Sequence, residues 1–352
     1  MKVTILGTGS WGTALAKVLA DNQVNVQMWG IEQDVIKEIN DQHQNSSYLP
    51  GLELAPVIKA TNDLEKAVTA CELLVFAVPT KAIRKVAESI VPILSRSKTR
   101  PIIMHVSKGL EQGSHLRISQ VIEATIPREL FQAIVVLSGP SHAEEVAKED
   151  ITTITAASTS LEAAQKIQTL FMNDYFRVYT NTDVIGVEMG AALKNIIALA
   201  SGILHGLDYG DNAKAALITR GLAEITRLGI KMGADVLTFS GLSGVGDLIV
   251  TCTSVHSRNW QAGNLLAQGY NVEEVEKRVH MVVEGIFTTK AAYELSQEYQ
   301  VDMPITAGLY QILYEGASLK TVIQELMGRP GKQEASLASH QEEWAKNQVK
   351  GE

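Results

Sequence analysis

An α/β N-terminal domain joined to an all-α C-terminal domain is the fold class that the sequence predicts, and three observations predict it. Short β-branched runs alternate with helical periodicity through the first half of the chain, which is the pattern of βαβ units around a parallel sheet. Beyond about residue 185 the strand signal fades and helical periodicity continues alone. The length of 352 residues exceeds one ordinary core and suits two. In order, strands are expected at 3–6, 24–29, 73–78, 102–106, 133–137, 152–156 and 176–179, most of them near-continuous apolar runs buried on both faces. Turn chemistry follows the first, third, fourth and fifth of these: Gly7-Thr8-Gly9, Pro79, Ser107-Lys108-Gly109 and Ser138-Gly139-Pro140-Ser141. Helices are expected near 188–205, 213–232, 258–268, 271–278, 288–299, 305–314 and 318–326. The expected division is 1–188, 189–332 and a polar tail, 333–352, with no Pro- or Ser-rich linker between the two domains.

Composition narrows the class of function. With 31 basic against 39 acidic side chains and a net charge of −8, the chain lacks the basic stripe that binding to a nucleic-acid backbone requires. Two cysteines, Cys71 and Cys252, make no disulfide framework, and the scattered histidines form no metal-ligand spacing, so no metal is expected. The apolar run before the first glycines is too short for a secretory signal, and no segment offers 18 uninterrupted apolar residues. A soluble, cytoplasmic protein without membrane insertion is expected.

Gly7-Thr8-Gly9-Ser10-Trp11-Gly12 is a G-x-G-x-x-G that leaves the first strand and opens a helix with Ala14, Leu15, Val18 and Leu19 on one face. Gly7 permits the tight turn, Gly9 lets the backbone approach a pyrophosphate, and Gly12 lets helix and strand pack closely. In that context the motif predicts a Rossmann-like dinucleotide-binding domain; alone it would read equally as a tight turn. Glu32 lies twenty residues past Gly12 at the end of the second strand, where an acid accepts hydrogen bonds from the ribose hydroxyls of NAD. A solvated surface carboxylate is the competing reading. No Arg or Lys occupies 30–33 to receive a 2′-phosphate, and Lys37 is the nearest cation downstream.

Further along, single residues stand out by placement. Lys108 follows the fourth expected strand, at the carboxyl edge of the sheet where ligands of open α/β folds collect, although an isolated loop lysine reads equally as solvated. Gly139 and Ser141 leave the next strand in the same way, and a plain turn would look the same. Lys194 and Asn195 sit among small and apolar residues over 190–204, and burial beside a second cation lowers an ammonium pKa toward the range of a general acid or base; a lysine snorkelling from an apolar helix is the competing reading. Asp247 follows the flexible Ser243-Gly244-Val245-Gly246. Ser257-Arg258-Asn259 opens a helix with a guanidinium fork, a hydroxyl and an amide, which is phosphate chemistry or a helix cap. Val282 and Glu284 lie where a nicotinamide or its ribose could be touched, or at a helix end. Cys252 reads as a small buried residue.

Taken together, GTGSWGTALA, VSKGL, SGPSHA, GAALKN, ITRGLAE, GVGDLIVTCTS and HSRNW, in that order, resemble the bacterial-type NAD(P)-dependent glycerol-3-phosphate dehydrogenase family over about residues 3–330. The resemblance implies reversible reduction of dihydroxyacetone phosphate to sn-glycerol 3-phosphate with NAD(H) or NADP(H), a supply for glycerophospholipid synthesis, by a two-domain enzyme that is commonly a homodimer. It places the proton donor and acceptor on Lys194 and the second active-site lysine on Lys108. Substrate contacts fall on Lys108, Gly139, Ser141, Lys194, Asp247, Ser257, Arg258 and Asn259, and cofactor contacts on Ser10, Trp11, Lys108, Ala143, Arg258, Val282 and Glu284. Two positions depart from many relatives: Ile31 stands in place of Arg or His, and His142 in place of Phe.

Two rival readings would require different motifs. A β-hydroxyacid or 6-phosphogluconate-type dehydrogenase would show Lys-x-x-x-Asn, whereas here Asn195 is adjacent to Lys194 and position 198 is alanine. A non-catalytic dinucleotide sensor would have lost the lysines or the Ser-Arg-Asn triplet, and all are present.

Overall fold

The computed structural model describes residues 1–279, 282–331, 333 and 334. Eight strands form one sheet: β1 (Val3–Leu6), β2 (Val26–Trp29), β3 (Ile58–Thr61), β4 (Leu73–Phe76), β5 (Ile102–His105), β6 (Ile134–Ser138), β7 (Thr152–Ala157) and β8 (Phe176–Asn181). Their spatial order is β3-β2-β1-β4-β5-β6-β7-β8, so the chain starts in the middle, moves to one edge and crosses back. The first six strands pair in parallel. β1, β4 and β5 are buried throughout, which is why they read as near-continuous apolar runs.

The sheet departs from the sequence expectation in two places. β3 was not anticipated, because IKAT is short and its buried residues alternate with exposed ones at the sheet edge. β7 pairs antiparallel with β6, so the last two strands run against the others. The reason lies in the connection. Between β6 and β7 the only helix is Ala143–Ala147, about 7 Å long, which cannot carry the chain back along a strand of about 17 Å. The chain therefore re-enters from the same edge. Between β7 and β8 the helix Leu161–Phe171 is long enough for a crossover, and those two strands are parallel.

Apolar clusters fill both faces of the sheet, one including Val3, Ile5, Leu15 and Leu19, the other Leu6, Phe76, Ile90 and Ile122. A third core surrounds the helix Val184–Gly206, with Leu193, Ile196, Ile197 and Leu199 packed against Leu248, Ala262 and Ile286 of later helices. That helix is apolar and long enough to cross a membrane by composition, yet 89% of its window is buried inside the protein. Glycines make this packing possible: a Cβ on Gly263 would meet Leu199 O at 1.9 Å, and one on Gly202 would meet Trp260 O at 2.0 Å. The helix runs through position 188, where the sequence division was drawn. The helices Val236–Phe239 and Asp247–Thr253 were not anticipated. The tail expected at 333–352 lies outside the described residues apart from 333 and 334.

Candidate active site

Parallel pairing of β1, β4, β5 and β6 brings their carboxyl ends to one edge, and the turns that follow them supply one wall of the site. Gly7 leaves β1 with φ of +131°, and an added Cβ would meet Ala77 O at 2.4 Å. At Gly12 it would meet Gly7 O at 2.5 Å, so both glycines are required by close approach of backbone. At Gly9, which caps the helix Ser10–Asp21, the nearest atom would be 4.0 Å away, and no side chain caps that helix. Its first turn therefore has no side-chain cap, and Trp11 Nε1 is buried without a hydrogen-bond partner among the described residues. Free helix donors beside a glycine cradle fit a pyrophosphate. Glu32 precedes the helix Gln33–Lys37 and accepts a hydrogen bond from Tyr48 Oη at 2.9 Å, while Ser10 Oγ donates to Tyr48 O at 3.0 Å. Tyr48, which no sequence motif singles out, thus ties the acid to the glycine turn.

A second group gathers where the sheet meets the helices. Lys108, in the turn after β5, donates from Nζ to Gly139 O at 3.0 Å and to Asp247 Oδ2 at 2.9 Å. Lys194, in the middle of Val184–Gly206, donates to Asp247 Oδ1 and to Thr251 Oγ1, the latter at 2.7 Å. One carboxylate therefore bridges two ammonium groups from different parts of the fold. Burial and the neighbouring Lys108 push Lys194 down to about 7, against the opposing pull of Asp247. Burial would raise Asp247, but the two lysines outweigh it and hold its carboxyl below the usual range. Thr251 was missed in the sequence, although its position four residues after Asp247 on the helix Asp247–Thr253 is a readable signal.

Asparagines brace this centre. Asn195 Nδ2 donates to Lys108 O at 2.9 Å, Asn259 Nδ2 donates to Asn195 Oδ1 at 2.9 Å, and Gly285 N donates to Asn259 Oδ1 at 2.8 Å. Of Ser257-Arg258-Asn259, only Arg258 has an exposed side chain. Ser257 Oγ accepts from Trp260 N at 3.3 Å as the cap of Arg258–Ala267, yet its hydroxyl proton and the second Nδ2 hydrogen of Asn259 remain to be donated. Arg258 Nη1 reaches Val282 O at 3.3 Å. Glu284, the first residue of Glu284–Glu298, lies against Gly109, and burial pushes its carboxyl up. Gly139, with φ of +151°, has Ile154 Cα 3.1 Å from where a Cβ would stand, and its carbonyl also accepts from Ser141 Oγ at 2.9 Å. Ala143 is buried at the start of Ala143–Ala147. Cys252 is buried next to Thr251, and burial pushes its thiol up to about 12, which leaves it inert.

The lysine–aspartate centre and the glycine turn on one sheet edge are the layout of a dinucleotide-dependent oxidoreductase. Comparison with known proteins decides the family. Residues 2–164 match the profile described as NAD-dependent glycerol-3-phosphate dehydrogenase N-terminus, and residues 183–324 match that of the C-terminus. The chain belongs to the NAD-dependent glycerol-3-phosphate dehydrogenase family. Within that family it is 62% identical over 333 residues to the glycerol-3-phosphate dehydrogenase (NAD(P)+) of Enterococcus faecalis, covering 95% of this chain and 97% of the relative. It is 59% identical over 334 residues to the enzyme of the same name from Latilactobacillus sakei, covering 95% of this chain and 98% of the relative. Among solved structures it is similar to glycerol-3-phosphate dehydrogenase from Coxiella burnetii, with a TM-score of 0.87 at 36% identity, over 93% of this chain and 99% of that one.

Proposed function

We propose that this protein catalyses the reversible, NAD(P)-dependent reduction of dihydroxyacetone phosphate to sn-glycerol 3-phosphate. One observation carries the reading: Lys194, buried and poised at about 7, shares Asp247 with Lys108 at the edge of a dinucleotide-binding sheet. Gly7, Gly9, Ser10, Trp11, Gly12, Glu32, Ala143, Val282 and Glu284 would hold the dinucleotide, whose nicotinamide supplies or takes the hydride when bound. Lys194 Nζ gives a proton to the carbonyl oxygen in reduction and takes one from the hydroxyl in oxidation. Lys108 lowers the proton affinity of Lys194 and donates to substrate oxygen. Asp247 keeps both ammonium groups in place.

Arg258, with Ser257 and Asn259, holds the phosphate away from the reacting carbon, so that phosphate binding energy orients the ketone. Gly139 and Ser141 line the opposite wall. In this reading 1–188 serves as the dinucleotide domain and 189–332 as the substrate domain. We further infer a cytoplasmic homodimer that feeds glycerophospholipid synthesis, on the strength of the family resemblance.

The test follows NADH and NADPH absorbance on addition of dihydroxyacetone phosphate, with unphosphorylated dihydroxyacetone alongside. Rapid oxidation is expected with the phosphorylated ketone alone, and Arg258→Gln should erase most of that preference. Equal rates on both ketones in the unaltered protein would reject the phosphate grip.

A further inference from the structure

Two histidines outside the lysine–aspartate centre face each other from the two sides of the site. His142 follows Ser141 and precedes the helix Ala143–Ala147 on the sheet side, whereas His256 immediately precedes Ser257 and Arg258 on the helical side. Their ring centroids lie 6.0 Å apart. His142 Nε2 is buried and makes no hydrogen bond among the described residues. A buried ring nitrogen without a partner is costly to maintain, and its placement next to Ser141 and opposite His256, the residue before Ser257-Arg258-Asn259, calls for a partner that arrives with substrate.

The charges around the ring define that partner. Glu144 and Glu145 act on it from its own segment, Lys108 and Lys194 from the turn after β5 and from the helix Val184–Gly206, and His256 faces it across the gap. Burial, reinforced by the two lysines, holds the imidazole below the ordinary histidine range. A neutral histidine beside cations gains a proton when a dianion enters, because the dianion offsets their repulsion.

We propose that His142 Nε2 is a further ligand for the substrate's phosphate monoester, gripping it from the sheet side opposite Arg258. The inference rests on the placement of the phosphate at Ser257-Arg258-Asn259 given above. Binding then draws one proton from solvent onto the imidazole, and the imidazolium donates it in a hydrogen bond to a phosphate oxygen without transferring it. Phosphate binding and protonation of His142 become linked, so the affinity for the phosphorylated substrate falls as pH rises.

The experiment compares the unaltered protein with His142→Phe and His142→Gln in steady-state kinetics between about pH 6 and about pH 8.5. Titration calorimetry of sn-glycerol 3-phosphate into the protein saturated with NADH, a complex that does not turn over, is run in two buffers of different protonation enthalpy. The difference in proton uptake between variants cancels the substrate's own titration. His142→Phe keeps a ring of similar size, and is expected to raise KM for dihydroxyacetone phosphate about tenfold with little change in kcat and to take up fewer protons. His142→Gln, which retains a donor, should recover part of KM but none of the proton uptake. Unchanged KM and uptake in His142→Phe, or an increase confined to KM for NADH, overturns the inference. Arg258→Gln separates the two readings. If it raises KM while His142→Phe is silent, only the histidine contact fails; if both are silent, the phosphate site itself is misplaced and the histidine contact falls with it.

Discussion

Lys194 shows how one side chain acquires its chemistry from its surroundings. Burial and Lys108 bring it to about 7, so both protonation states are populated near neutrality. The sign of the resulting pH dependence differs with direction. Ketone reduction needs the ammonium form and should lose rate as pH rises through about 7, whereas alcohol oxidation needs the neutral amine and should gain rate over the same range. Paired kcat profiles in the two directions check this, and parallel profiles would count against Lys194 as the proton carrier. Lys194→Ala should lower kcat by several orders of magnitude with modest change in KM. Thr251→Val removes the second acceptor of the Lys194 ammonium while leaving Asp247 in place. Losing an acceptor destabilises the ammonium form, so the acid limb of the oxidation profile should move to lower pH without abolishing turnover, and an unmoved limb would show that Thr251 has no part in setting it. The exposed and buried states that generate these effects were only partly legible: the apolar company of Lys194 in sequence announced burial, but nothing local announced that Asp247 would bridge it to Lys108.

At the scale of elements, the helix Val184–Gly206 carries the site because it is clamped to the sheet. Glu188, buried one turn and a half before Lys194, accepts hydrogen bonds from Ser119 N at 2.7 Å, Ser119 Oγ at 2.6 Å and Arg117 Nη1 at 2.5 Å, and has His105 Nε2 at 3.1 Å. His105 ends β5, three residues before Lys108, so the cluster fixes the helix of one lysine to the strand of the other. Glu188→Ala leaves Arg117 with an uncompensated, largely buried charge and should cost about 3–5 kcal/mol of stability, read by denaturant unfolding, whereas Glu188→Gln should cost less. Equal and small losses in both would mean that the cluster is solvated rather than clamped. None of this cluster was foreseen, because its members come from a strand, a loop and a helix that are far apart in sequence. The seven helices expected after residue 185 were foreseen from periodicity, whereas Val236–Phe239 and Asp247–Thr253 were too short or too glycine-flanked to show one. β3 escaped for the same reason of length, and the reversal of β7 followed from a connecting helix whose shortness no residue type announces.

For the whole molecule, cofactor choice is the property most exposed to test. Glu32 stands just past β2, held by Tyr48. A 2′-phosphate on a ribose bound at Glu32 would meet that carboxylate with no Arg or Lys at 30–33 to receive it, so NADH should be used with kcat/KM at least about tenfold above that for NADPH. Glu32→Ala should narrow the ratio, and equal use of both cofactors by the unaltered protein would show that the carboxylate is screened. By itself the sequence announced the two kinds of architecture, the glycine turn and the family. Those features are written in local periodicity and in short motifs, where neighbours in sequence are neighbours in space. Tertiary structure alone decided the direction of the last two strands, the bridging of Lys108 and Lys194 by one aspartate, the Glu188 clamp and the meeting of His142 with His256. Each depends on the distance between segments that only the packed core brings together.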